Sequence, residues 1–203
     1  QQGVNKLVIL NCIREYIQYL VLHFLYNHKN YKTLIFTGGS CLRVCYKLPR
    51  LSEDLDFDYN KNQSVSALLK EMEMDLKKEI QGKYFANLET KIQGEKRIYL
   101  KFPLLYKLKL AEKPESNKLY VKVELGQKPI SWTTFELTPI SEFGFNFIVY
   151  HYDLPSLMVA KINALLNRLW FKGKKQEIDI KGRDFYDLFW FFNSLCPVNI
   201  PGS

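Results

Sequence analysis

The chain predicts an α+β fold, a mixed sheet carrying an acidic strand followed by a C-terminal helical part. Three observations carry that reading. Apolar residues recur at helical spacing from Leu7 to Asn27. A strand-rich stretch runs from Tyr84 to Glu136, with alternating, β-branched and aromatic segments. Beyond Asp153 the pattern returns to helix. The expected division is a core over residues 1–150 and a helical segment over 151–203 that completes the core's site, the two forming one compact unit.

In the first helix Leu7, Leu10, Ile13, Ile17, Leu20, Val21, Phe24 and Leu25 fall at three- and four-residue steps, giving one broad apolar face. Leu34-Ile-Phe is a short buried strand. Gly38-Gly39 turns the chain sharply into a short helix, Ser40 to Tyr46. Glycines there let the amides of a helix N-terminus face an anion. Lys47 to Ser52 is an extended link, kept out of helix by Pro49. Leu55 to Tyr59 is a strand. Its alternation puts Asp54, Asp56 and Asp58 on one face and Leu55, Phe57 and Tyr59 on the other. Carboxylates so close repel one another. A divalent cation is the natural remedy, because Mg²⁺ takes oxygen ligands and arrives with substrate phosphates.

A second helix spans Ser64 to Ile80, with Leu68, Leu69, Met72, Leu76 and Ile80 inward and Gly82 as its stop. Its charged residues read as a solvated face. Strands are expected at Asn87–Ile92, Arg97–Lys107, Leu119–Leu125 and Ser131–Leu137, with a hairpin turn at Gly94-Glu95. Phe145 to His151 is a further apolar strand. Leu154 to Arg168 is a helix with Leu157, Ala160, Ala164, Leu165 and Leu169 as its stripe, and Lys161 lies inside that run. Phe171 to Lys181 is a basic, glycine-punctuated loop. Arg183 to Phe192 is a short aromatic helix.

The stretch GGSCLRVCYKLPRLSEDLDFDY resembles the signature of the AbiEii/AbiGii-type nucleotidyltransferase toxins, in the DNA polymerase β-like superfamily. Arg50, Ser52, Asp54, Asp56 and Phe57 match its Arg-x-Ser-x-Asp-x-Asp-Phe run. A second block, Lys161 in its helix and then Lys181-Gly-Arg-Asp-Phe-Tyr-Asp-Leu, is also similar to the family. The resemblance implies a polymerase β-like nucleotidyltransferase core and metal-dependent transfer of a nucleoside monophosphate from an NTP. Asp54 and Asp56 would bind Mg²⁺ or Mn²⁺, Asp56 bridging two cations. Gly38, Gly39 and Ser40 would hold the β,γ-phosphates. Arg50 would pair with an aspartate or with a substrate phosphate. Lys161 would steady the triphosphate, and Asp184 would orient Lys161 or act as a base. Glu124, on a later strand, would be the third metal carboxylate or else a partly exposed strand glutamate. The resemblance implies a long C-terminal helical extension in larger members, so this stretch reads as a compact member or a fragment.

Composition bounds the rest. The chain has 203 residues, 47% hydrophobic, enough for a sizeable core. No run reaches the roughly 20 apolar residues of a membrane span, and the polar start shows no secretory signal. The start at Gln1 reads as a trimmed chain. A cytoplasmic protein is expected, with no membrane partner and with reduced, structural cysteines. Cys41 and Cys45 do not have zinc-knuckle spacing, and His23, His28 and His151 form no ligand motif. The net charge of +8 is lysine-driven. It suits a phosphate-rich partner and equally a lysine-rich coding bias.

The expected activity is NMP transfer from NTP to an RNA acceptor, the 3′ end of tRNA, as a toxin controlled by a cognate antitoxin. The alternatives are transfer to a protein or small-molecule acceptor, and a catalytically inactive nucleotide-binding scaffold.

Overall fold

The computed structural model describes residues 5–59, 64–126, 129, 132–167, 171–172, 177–178 and 182–195. It divides into two compact units, Gln1–Tyr152 and Asp153–Ser203.

The first unit contains α1 (Lys6–Asn27), β1 (Ile35–Thr37), α2 (Gly38–Tyr46), β2 (Asp54–Asp58), α3 (Val65–Lys83), β3 (Glu89–Gln93), β4 (Arg97–Pro103), β5 (Lys118–Leu125), β6 (Phe135–Glu142) and β7 (Phe145–Tyr152). The strands form one mixed sheet in the order β3-β4-β5-β2-β1-β7-β6. β1 runs antiparallel to β2 and parallel to β7, and β2 runs parallel to β5. α1 packs on β7 and β5, and α3 on β3 and β4. Beneath them lie Leu55, Phe57, Ile98, Leu100, Val121 and Val123, all fully buried. Side-chain caps start α1 and α3. Asn5 accepts from the Leu7 amide and Ser64 from the Ala67 amide.

The second unit contains α4 (Leu154–Leu166), β8 (Phe171–Lys172), β9 (Glu177–Ile178) and α5 (Gly182–Leu195). Asp153 caps α4 by accepting from the Ser156 amide. β8 and β9 pair antiparallel inside the stretch expected to be loop.

Several expectations change. Leu7 is 61% exposed, and the buried run of α1 begins at Ile17. A 22-residue helix rises about 33 Å, longer than the eight-residue strand β7 beneath it. Gly82 lies inside α3, which ends one residue later where the Tyr84 amide donates to the Ile80 carbonyl. Glu71 and Asp75 are not simply solvated, since they accept from Asn30 and Tyr31. The strand from Arg97 stops at Pro103. The one expected at Ser131–Leu137 is β6, running on through Pro139, which an edge strand tolerates. Ala160 and Ala164 are exposed, so the α4 stripe narrows to Leu157 and Leu165 among the described residues. Leu169 and Cys196 lie outside the described residues.

α1 is also long and apolar enough to cross a membrane by length and composition alone. The sequence reading missed this. Ile17, Tyr19, Leu20, Val21, Leu22, Leu25 and Tyr26 of this helix are buried in the core.

Candidate active site

The β1–α2 turn and the β2 strand form one constellation. Thr37, the last residue of β1, stands opposite Asp56 in the ladder. Gly38 follows with φ of 76°, a conformation that L side chains rarely adopt. A Cβ on Gly38 would lie 2.5 Å from Asp56 Oδ2. A Cβ on Gly39 would lie 2.7 Å from Arg50 Nη2 and 3.1 Å from Ser52 Oγ. The volume that two side chains would occupy is filled by the carboxylate, guanidinium and hydroxyl of the second half of the motif.

The remaining contacts fix that arrangement. Ser40 is buried, and its hydroxyl donates to the Asp54 main-chain carbonyl. The hydroxyl therefore tethers α2 to β2. Thr37, the residue before the helix, makes no side-chain cap, so it blocks none of the first-turn amides. Arg50 Nη1 donates to the Leu51 carbonyl at 3.0 Å. Gln18 of α1, also buried, donates to the Ser52 carbonyl at 3.0 Å. Arg43 anchors α2 to α1 through Glu15 at 2.7 Å.

The three aspartates of β2 differ. Asp58 accepts from the Tyr152 hydroxyl at 2.7 Å and abuts Gly126. It belongs to the packing of the strand end. Asp54 and Asp56 face β5, whose register partners are Lys122 and Glu124 respectively. Lys122 Nζ lies 2.8 Å from Asp54 and 3.1 Å from Glu124. Glu124 also receives Arg97 at 2.7 Å and Lys96 at 3.5 Å. Burial opposes ionisation of Glu124, but the hydrogen bonds from Arg97 and Lys122 outweigh it and hold its pKa at about 2. Burial likewise works against the Lys122 charge, and its bonds to Asp54 and Glu124 prevail and raise its pKa. The protein thus supplies cations of its own against the repulsion that the sequence reading had assigned to a metal.

Asp54 and Asp56 fit a divalent cation. They are neighbouring carboxylates on one strand face, and the missing Cβ of Gly38 lets the Asp56 carboxylate lie against the turn. Glu124 fits less well, since Arg97 holds both its oxygens and Lys122 and Lys96 add to them.

Within the second unit, Lys161 of α4 meets two carboxylates of α5. Its Nζ lies 3.3 Å from Asp184 and 2.9 Å from Asp187. Asp187 has no solvent exposure, and Lys161 and Asp184 have 14% each. Asp187 was missed in the sequence, although it stands in the quoted Arg183-Asp-Phe-Tyr-Asp run. Its spacing of three from Asp184 puts both on one helix face, which was the available signal.

Cys41 and Cys45 of α2 come together with His151 of β7, their ligand atoms within 4.8 Å of one another. A hydrogen bond with Cys41 lowers the Cys45 thiol to about 6 against burial, with help from His151. Burial raises Cys41. Both His151 ring nitrogens have oxygen partners, Thr138 Oγ1 and the Tyr152 carbonyl, each at 2.8 Å. The trio is a hydrogen-bonded core cluster that the i,i+4 cysteine spacing alone did not reveal.

A family model described as "Nucleotidyl transferase AbiEii toxin, Type IV TA system" matches residues 22–201. The chain belongs to this family. The Gly-Gly turn, the Asp-x-Asp strand and the Lys161 block all fall inside the matched span. No curated protein matches. Among solved structures the chain is similar to JHP933 from Helicobacter pylori, with 18% identity and a TM-score of 0.48, over 89% of this chain and 65% of that one. It is also similar to an H. pylori protein described as a candidate nucleotidyltransferase, with 17% identity and a TM-score of 0.44, over 86% of this chain and 65% of that one. The chain thus spans 65% of the length of each of these structures.

Proposed function

We propose that this AbiEii-family chain transfers a nucleoside monophosphate from an NTP to an RNA acceptor, the 3′ end of tRNA, and acts as a toxin held in check by a cognate antitoxin. One observation carries the reading. The space left by Gly38 and Gly39 is filled by Asp56 and by Arg50 with Ser52, so the anion-facing turn and the acidic strand form a single site.

That geometry, with the family resemblance of the Lys161 block, supports a division of labour. Asp54 and Asp56 would hold Mg²⁺ or Mn²⁺, and Glu124 would reach it only by releasing Arg97 or Lys122. Bound there, the metal supplies charge stabilisation for the attacking and leaving oxygens of an in-line displacement. The first-turn amides after Gly38 point donors at the β- and γ-phosphates. Ser40 contributes by fixing α2 to β2, with its own amide among those donors. Arg50, lying over Gly39, adds positive charge to the phosphate side. Lys161 takes the role of steadying the triphosphate, from the family resemblance of its block. Asp184, with Asp187, orients the Lys161 ammonium. The acceptor hydroxyl attacks the α-phosphorus, the bond to the β-phosphate oxygen breaks, and pyrophosphate departs.

The test is label transfer. The protein is incubated with Mg²⁺, total RNA and each NTP labelled at the α-phosphate, beside an Asp56→Ala control. Label is expected in a tRNA-sized band and absent with Asp56→Ala. Wild-type labelling by that variant would remove Asp56 from the site. Label on protein instead of RNA would move the acceptor to a polypeptide.

A further inference from the structure

The open face of β3, β4 and β5 continues the face that carries Asp54 and Asp56. Helices cover the other side of these strands, where Ile98, Leu100, Val121 and Val123 are fully buried. On the open side the register lines residues up in rows. Lys91 of β3 pairs with Tyr99 of β4, Tyr99 with Lys122 of β5, and Lys122 with Asp54 of β2. The next row joins Glu89, Lys101 and Tyr120. Each row steps from a strand edge toward the acidic pair. Three strand spacings make the first row about 14 Å long.

The chemistry of this face is selective. Tyr99 and Tyr120 lie on a diagonal, about 7–8 Å apart by sheet geometry. Tyr120 is 42% exposed and Tyr99 is half-buried. Around them Lys91, Lys96, Arg97, Lys101, Lys118 and Lys122 outnumber Glu89, Glu124, Asp54 and Asp56, with Lys118 on Glu89 and Lys96, Arg97 and Lys122 on Glu124. An apolar-faced partner would want these rings without the cations, and a purely anionic one would not need the rings. Aromatic rings flanked by cations on an open sheet suit unstacked bases joined by phosphates. Sheets of this kind take two or three bases on their aromatics.

We propose that this face is a track for single-stranded RNA that delivers a 3′ end to Asp54 and Asp56. Tyr99 and Tyr120 are its base-stacking platforms, and Lys91 and Lys101 hold its phosphates. The assignment of a 3′ end rests on the transferase reading above, and the binding track does not. A base on Tyr99 sits one strand from Lys122 and two from Asp54. The terminal nucleotide then lies over β5 and β2, where its hydroxyl meets the site.

Binding is measured by anisotropy of a labelled 12-nucleotide single-stranded RNA, with the full chain and with neither NTP nor metal. The variants are Tyr99→Thr with Tyr120→Thr, and Lys91→Glu with Lys101→Glu. Threonine keeps β propensity on a solvent-facing position, and the lysine pair tests the same track at residues whose replacement does not touch the core. The tyrosine pair is expected to weaken binding roughly tenfold for each ring removed. The lysine pair is expected to weaken it and to flatten its salt dependence. In the transfer reaction the KM for RNA rises in step. Absence of RNA binding by the wild-type chain overturns the track, as does a tyrosine variant that binds like wild type. Heparin or duplex RNA competing as well as the single strand reduces the face to charge alone and also overturns it. A DNA 12-mer bound more tightly than RNA overturns the choice of RNA. Binding lost in the variants, with no label entering RNA from the wild type, upholds the track and removes the transferase reading.

Discussion

The two units each carry a lysine between two carboxylates, and the two clusters are built for different ends. In the first, Lys122 bridges Asp54 and Glu124. Asp54 keeps 43% of its side chain in solvent, and Glu124 has Arg97 and Lys96 as further partners. In the second, Lys161 bridges Asp184 and Asp187, and Asp187 has no solvent contact at all. The open cluster can lose a cation and accept water or another ion in its place. The enclosed cluster cannot rehydrate Asp187 without opening. A metal site needs exchangeable partners, and a fixed ammonium needs partners that do not exchange.

The sharpest way to break this contrast is to remove each lysine in turn. Lys161→Met leaves a buried carboxylate without this partner, and a loss of about 3–5 kcal/mol is expected. Lys122→Met, with Asp54 open to solvent and Arg97 and Lys96 still on Glu124, is expected to cost less, about 1–2 kcal/mol. Hydrogen exchange across α4 and α5 for the first, and across β2 and β5 for the second, reads the two effects separately. Equal losses would erase the distinction.

Next in size is Gly38→Ala. The left-handed backbone alone costs of order 1–3 kcal/mol for a residue with a side chain, and the new Cβ displaces Asp56. Transfer should fall with stability, and by more than stability explains. Urea unfolding together with the labelling assay separates the two. A variant that stays fully active would detach Gly38 from Asp56.

The smallest effect tests the open cluster by pH. Glu124 has its pKa lowered from 4.5 to about 2 in the folded chain. Its contribution to stability is therefore complete above about 4.5 and is lost as pH falls toward 2. Arg97→Gln should raise the Glu124 midpoint, read by carbon NMR of the side-chain carboxyl, and should shrink the loss across that window. An unmoved midpoint would mean that Arg97 does not hold the carboxylate.

Much of the site was legible in the sequence because its parts are local. The period of two places Asp54, Asp56 and Asp58 on one face, and the buried Leu55 and Phe57 on the other match that alternation. The Gly-Gly turn was legible as a turn. That its empty volume holds Asp56 and Arg50 was not, because that depends on how β1 pairs with β2. The face of α3 came through intact, since Leu68 to Ile80 follow one helical stripe. Lys122 and Gln18 were invisible for one physical reason. Their roles arise from a parallel register and a helix crossing, which join residues 68 and 34 positions apart. Asp58 looked equivalent to its neighbours in sequence, and only the Tyr152 hydroxyl sets it apart. Ala160 and Ala164 look apolar in a helical pattern, but alanine is indifferent enough to burial that its spacing carries little information.

The parallel register of β2 and β5 also has an evolutionary consequence. Lys122 and Glu124 meet Asp54 and Asp56 only because side chains alternate with a period of two. Point substitutions along β5 can alter the site one residue at a time. Deletion of a single codon inside that strand would instead turn Val121 and Val123 toward the acids and drive both charges into the core. Length variation in the lineage should therefore collect in the stretch between β4 and β5, and diversity of substrate should come from exchange at fixed positions.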